Sequence, residues 1–193
     1  MSGTPPRLIL ASASPRRREL LAQIGLVPDA VIAPNIDETP RPREVPRALA
    51  VRLARAKAAA AATPGAFVIA ADTVVALGRR ILPKAEQAEE ARRCLVLLSG
   101  RRHRVLTSVV AQAPDGRRAE RLCESVVTFA RLTEAQIAAY LASGEWHGKA
   151  GGYAIQGRAA AHIRFLGGSY SGVVGLPLFE TAQLLRGLGY PLP

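Results

Sequence analysis

"AFVIAADTVVAL", residues 66–77, decides how this chain folds. Ala66 to Ala71 carry no polar side chain, so the run reads as a buried strand that continues towards a turn at Gly78. Asp72 follows the apolar run directly. In open α/β sheets the carboxyl ends of strands line the ligand crevice. A carboxylate there meets a substrate or its metal, or else serves as a structural acid bonded to a neighbouring loop.

On the N-terminal side, "RLILAS" at 7–12 reads as a strand and Pro15 to Ile24 as a helix ended by Gly25, with Ser14 as N-cap. A short strand is expected over Val27 to Ile32. "APNIDETPRPRE", 33–44, is a proline-rich loop bearing Asp37 and Glu38, and a helix runs from Glu44 to about Ala62. On the C-terminal side a helix covers Glu86 to Leu98 and is closed by Gly100. "RRHRVLTSVVAQA" and "ERLCESVVTFARL" form a long hairpin about Asp115 and Gly116. Thr133 caps a helix to Ser143, with Gln136 at the capping-box position. A strand lies near "AHIRFL", and a last helix follows Pro177. Strands and helices interleave without repeat or linker, which predicts one α/β domain over residues 1–193 with a mixed sheet flanked by helices.

With 49% hydrophobic and 21% charged residues, the chain can bury a core and is too apolar for disorder. No window approaches about 18 uncharged apolar residues, so no membrane partner is expected. The apolar run before Ala11–Ala13 is too short for a signal peptide, and the start reads as a first strand. Cys94 and Cys123 lack metal-like spacing and are expected as reduced thiols in a cytoplasm. The net charge of +11 attracts anions without naming one. Only 5% of residues are aromatic, the arginines are dispersed and no helix-turn-helix, RRM or KH signature occurs, so a stable nucleic-acid partner is the remote alternative. Lysine occurs only at 57, 84 and 149, against 23 arginines. Such scarcity suggests that lysine is kept where a compact ammonium is wanted.

Arg16, Arg17 and Arg18 stand in the first turn of the first helix, where the macrodipole already carries about half a positive charge. An anion held there by free N–H groups, the hydroxyls of Ser12 and Ser14 and one or two guanidiniums would offset the repulsion. Phosphate is the obvious candidate, and the alternative is a solvated basic face. In the helix from Glu44, Leu49, Leu53, Ala56 and Ala60 form one stripe, and Lys57 falls inside the apolar face. It either snorkels out at an edge or reaches across into a polar cleft. Asp72 with Glu38 would supply oxygen ligands suited to Mg²⁺ or Mn²⁺.

Zinc spacing, the GxxxxGK[ST] loop and a GxSxG elbow are all absent. "GKAGGYAIQG", 148–157, offers backbone N–H groups at four glycines, a lysine, an aromatic ring and an amide. Gln156 can pair with a base edge through its donor and acceptor, and Tyr153 stacks or simply packs.

"LILASASPRRRELLAQIG", "AVRLARAKA", "AADTVVAL", "LSGRRHRVLT", "GKAGGYAIQG" and "SYSGVVGLPLFET", in this order over almost the whole chain, resemble the Maf family of nucleoside triphosphate pyrophosphatases. The resemblance implies a fold similar to inosine triphosphate pyrophosphatase, with an elongated mixed sheet. It also implies a cytoplasmic homodimer, a divalent metal, and cleavage of a nucleoside triphosphate to the monophosphate and pyrophosphate. The tract ending in Ile155, Gln156 and Gly157 is similar to the branch acting on dTTP and UTP. The branch acting on 7-methyl-GTP tends to carry glutamate where Gln156 stands, and that substrate, or another modified nucleotide, is the alternative. The resemblance makes Asp72 the proton acceptor and places Arg16, Thr73 and Gln156 where substrates are discriminated. Ser12, Arg17, Glu38, Lys57 and Lys84 match further active-site positions. Around Lys84 the chain reads "LPKAEQ", with proline ahead of the lysine where the family places it behind.

Overall fold

In the computed structural model, which describes residues 6–192, Ala66–Leu77 is one unbroken twelve-residue strand, β3, at the middle of the sheet. Before it come β1 (Arg7–Ala11), α1 (Pro15–Gln23), β2 (Ala30–Ile32) and α2 (Pro46–Ala60). After it come β4 (Arg80–Leu82), β5 (Lys84–Ala85), α3 (Ala88–Leu98), β6 (Arg102–Gln112), β7 (Arg118–Phe129) and α4 (Glu134–Ala142). The chain continues through β8 (Lys149–Ala150), β9 (Ile163–Gly167), α5 (Tyr170–Val174) and α6 (Leu178–Gly187). The readings that touch residues 1–5, the single 1–193 span and the missing leader, lie partly outside the described residues.

The sheet is mixed, as expected. Its order is β2-β1-β3-β6-β7-β9, with β4 also on β3. β1 runs parallel to β2 and β3, and the pairs β3–β6, β6–β7 and β7–β9 are antiparallel.

The register explains where a crevice can open. On one side β3 pairs with β6 from Val68 to Ala76. On the other it pairs with β1 over Ala66–Ala70 and with β4 over Val75–Leu77. Residues 71–74 have no strand on that side, because β1 stops at Ala11 and its chain turns away into α1. Asp72 therefore does not stand at the carboxyl end of its own strand, as the apolar run suggested. It stands in mid-strand, beside the carboxyl end of β1, where the parallel part of the sheet finishes.

Strand alternation then sends consecutive residues of β3 to opposite layers. Phe67, Ile69 and Ala71 pack with Leu20 and Leu21 of α1 and Leu184 and Leu185 of α6. Val75 joins the core beneath α3 and α4. Ala66, Val68 and Ala70 pack against Ala54 and Ala58 of α2, and Val74 and Ala76 against Leu49, Ala50 and Leu53. The small residues along α2 let it lie close to the strands. Asp72 thus faces the α2 layer and Thr73 the α1 layer.

Three pieces were not anticipated. β4 closes a tight hairpin on β3, β5 pairs with β8 across more than sixty residues, and α5 is a single short turn. Each is too brief to show a period in the sequence. α5 is started by Ser169, whose side chain accepts the Gly172 N–H. The strand expected over Val27 to Ile32 pairs only from Ala30.

Candidate active site

A cleft of about 400 Å³ opens at the gap in the sheet. It brings together ten residues singled out from sequence, Ser12, Ser14, Arg16, Arg17, Glu38, Lys57, Asp72, Thr73, Lys84 and Gln156, whereas Arg18 and Asp37 do not line it. The ten come from six segments spread over 145 positions of the chain, so only the fold makes them neighbours.

On the α2 side, Lys57 reaches across into the cleft and does not snorkel. Lys57 and Asp72 are both buried, and the Lys57 ammonium lies 2.5 Å from Asp72 Oδ1 and 2.6 Å from Glu38 Oε1. The second Glu38 oxygen accepts from Lys84. Burial works to raise the Glu38 carboxyl, but hydrogen bonds and charge from Lys57 and Lys84 outweigh it and hold it at about 2. The altered proline position does not take Lys84 out of the site: β5 aims it at Glu38, and β5 is itself held by β8.

On the α1 side the arginines divide. Arg17 is buried and spent on the protein: Nε donates to Gly175 O at 2.7 Å, one terminal nitrogen to Ser12 Oγ at 3.0 Å and the other to Thr73 Oγ1 at 3.4 Å. Arg18 is exposed. Arg16 has a buried Nε with no hydrogen-bond partner among the described residues. Burial lowers the Arg16 pKa from its ordinary value, and the neighbouring Arg17 lowers it further. A buried guanidinium donor left unpaired, next to another cation, is the condition an anion relieves. Sequence alone did not separate Arg16 from Arg17; the packing does, and it makes Arg17 the brace.

Ser14 has the extended backbone of an N-cap but makes no side-chain cap bond. Its N–H instead donates to Ser12 Oγ at 3.1 Å. With Arg17 also donating to it, the Ser12 oxygen is filled as an acceptor, and its own O–H remains to donate into the cleft. Pro15 has no N–H and the Arg17 N–H donates to Ser14 O at 3.2 Å, so the Arg16 N–H is the first-turn backbone donor left for a ligand.

Thr73 is held by a directed chain of hydroxyls. Thr107 Oγ1 lies 2.7 Å from Gly172 O and 3.0 Å from Thr73 Oγ1. A carbonyl only accepts, so Thr107 gives its proton to Gly172 and Thr73 donates to Thr107. The Thr73 oxygen is then an acceptor only, which suits the Arg17 bond.

Five cations and three carboxylates line the cleft. All three lysines of the chain are among them, and Lys149, named from sequence for its scarcity and within the glycine-rich stretch, lies close enough to Arg16 to feel its charge. Burial, and then Arg16, lowers the Lys149 pKa. Glu86, His147 and Thr107 carried no sequence signal for the site. Among the described residues no group of three or more His, Cys, Asp or Glu side chains could hold a metal ion.

Tyr153 packs, as one of its two readings held. It is buried against Phe129 and His103, and its hydroxyl lies 2.8 Å from His103 Nε2. Burial pushes the imidazole down to about 4. The unfolded chain therefore takes up a proton that the folded one refuses, and stability present above about pH 6.5 is lost as pH falls through 4. Urea denaturation of the wild type and His103→Phe between pH 7.5 and 4.5 should show a shallower acid loss in the variant. Parallel slopes would refute this.

The sequence profile of the family described as Maf-like protein matches residues 7–188. A dTTP/UTP pyrophosphatase of Gluconobacter oxydans is 66% identical over 195 aligned positions, covering 96% of this chain and 89% of the relative. A dTTP/UTP pyrophosphatase of Granulibacter bethesdensis is 63% identical, covering 95% of this chain and 93% of the relative. Among solved structures, the Staphylococcus aureus Ham1 protein aligns with a TM-score of 0.43 and 19% identity, over 64% of this chain and 72% of that one, a likeness too slight to carry weight. The profile spans nearly the whole sequence and the relatives share about two residues in three: the chain belongs to the Maf-like protein family.

Proposed function

We propose that the protein is a dTTP/UTP pyrophosphatase, cleaving the triphosphate to the nucleoside monophosphate and pyrophosphate. The observation that carries this reading is the Lys57 ammonium gripped by Asp72 and Glu38 beside the start of α1, where Arg16 Nε is buried without a partner among the described residues. The names of the relatives support the substrate class.

In this reading water attacks the α-phosphorus in line, the bond to the bridging oxygen breaks and pyrophosphate leaves. Asp72, with Oδ1 tied to Lys57, takes the water proton on its other oxygen. Lys57, Lys84 and Arg16 offset the charge that grows on the phosphate oxygens. The Ser12 hydroxyl and the Arg16 N–H, the first-turn backbone donor left free because Pro15 has none and the Arg17 N–H bonds Ser14 O, hold the polyphosphate. Gln156, exposed in the cleft, presents a neutral donor and acceptor to the base edge.

A hard divalent cation such as Mg²⁺ or Mn²⁺ would be held by the remaining lone pairs of Glu38 and Asp72, whose oxygens also accept from Lys57 and Lys84, and would take the rest of its oxygen ligands from phosphate and water. When bound it would neutralise phosphate charge. We place the enzyme in the cytoplasm as a homodimer, without a nucleic-acid partner. The free Cys94 and Cys123, the exposed Phe165, Tyr170 and Phe179, and the low aromatic content support those assignments.

Chromatography of products from dTTP, UTP, GTP and 7-methyl-GTP, with Mg²⁺ or Mn²⁺ and with chelator, tests the reading. Monophosphate and pyrophosphate are expected, fastest from dTTP and UTP, and lost with chelator. Diphosphate and orthophosphate would make it a phosphatase of another kind.

A further inference from the structure

The Gln156 amide makes no hydrogen bond to protein among the described residues. Where it can reach is therefore set by its backbone, and that backbone is held from both ends, by α4 and by the turn that follows it. Ahead of Gln156, the Ala154 N–H donates to the Tyr140 hydroxyl of α4 at 3.0 Å in a buried bond. Behind it, the Arg158 N–H donates at 2.7 Å to Oε2 of Glu145, in the turn that follows α4. Gly157 lets that carboxylate in: a Cβ there would lie 2.0 Å from Glu145 Oε2, although the Gly157 backbone is extended and needs no glycine for its angles. The close approach, not the conformation, is what the glycine permits. Burial pushes the Tyr140 phenol up to about 12, so it remains a neutral acceptor at working pH. Neither Tyr140 nor Glu145 was singled out from sequence.

We propose that Glu145 and Tyr140 are positioning residues that set nucleobase selectivity, by clamping the Ala154–Arg158 segment so that the Gln156 amide is presented at one fixed place. This rests on the reading of the cleft as a nucleoside triphosphate site. A loosened segment lets Gln156 wander, and an amide that is no longer pre-placed loses its advantage for one base edge over another, while phosphate contacts, common to both nucleotides, cancel in the comparison.

The test compares wild type, Glu145→Ala, Glu145→Gln and Tyr140→Phe. It measures steady-state kinetics on UTP and GTP, and affinities for their α,β-methylene analogues by calorimetry. Circular dichroism confirms folding. Glu145→Ala should lower the UTP-over-GTP preference by about tenfold, the effect of one hydrogen bond, with KM for UTP rising more than kcat falls. Glu145→Gln keeps a carbonyl for the Arg158 N–H and should restore the preference to within about twofold. Tyr140→Phe should resemble Glu145→Ala. The proposal is overturned if Glu145→Ala keeps wild-type preference, if it weakens both nucleotides equally, or if Glu145→Gln fails as badly. A wild type that cleaves nothing but binds the UTP analogue selectively would sink the assigned activity and leave the analogue affinities to decide this clamp. A wild type that binds both analogues alike would sink the clamp as well.

Discussion

Asp72→Asn is expected to slow pyrophosphate release by roughly 10³-fold, the scale of a lost general base, while the chain stays folded. Asparagine has nearly the shape of aspartate, and its carbonyl can still accept from Lys57 in place of Oδ1. Lys57 also keeps Glu38 as a charged partner, so the buried ammonium is not abandoned. What disappears is a group able to take a proton at that place. The measurement is pyrophosphate release from UTP alongside a urea midpoint. A variant with wild-type turnover would remove Asp72 from the chemistry. A variant that fails to fold would show the acid to be structural, the alternative that its sequence position left open.

Lys57→Met should have the largest effect on stability, about 3–5 kcal/mol, as when one partner of a buried ion pair is removed. Methionine fills much of the same volume against the apolar face of α2, so lost packing contributes little. The cost is electrostatic. Asp72 and Glu38 both rest on the one ammonium, and without it two carboxylates face each other, with Asp72 fully enclosed. Like charges so placed raise the pKa of the pair, so the folded variant binds more protons than its unfolded chain. Its deficit must then grow from pH 5 to pH 8. Adding Asp72→Asn should recover part of the loss, because it removes one of the opposed charges. Urea titrations of the single and double variants at the two pH values decide it. Equal stability of Lys57→Met and wild type at pH 8 would mean that the carboxylates find another partner. Activity should vanish in both variants.

How much of this was legible depends on the range of the interaction concerned. The apolar run of β3, the caps of α3 and α4 and the hairpin of β6 and β7 are local, and they stand within a residue or two of where their patterns put them. α1 is local too, and its misplaced arginines raised an anion or a solvated basic face as the two readings before any geometry was known. The sheet was recognisably mixed because strands alternated with helices on one half and with a hairpin on the other. β4, β5, β8 and α5 are two to five residues long, too short to announce a period, and β5 and β8 exist only because each pairs with the other across the chain.

The sequence by itself determined which side chains were out of place: an acid after six apolar residues, a lysine on a helix's apolar face, three cations at a positive helix end. Each breaks a local rule, and local rules are readable from neighbours along the chain. Tertiary structure alone decided what each one does. It put Asp72 in mid-strand beside the end of β1, gave Lys57 two carboxylates, spent Arg17 on Ser12, Thr73 and Gly175, and left Arg16 Nε without a partner among the described residues. It also clamped Gln156 through Tyr140 and Glu145. The reason is physical. Hydrogen bonds and ion pairs act over about 3 Å of space and have no memory of sequence separation, so their partners are fixed only when sheet register and helix packing bring remote segments together.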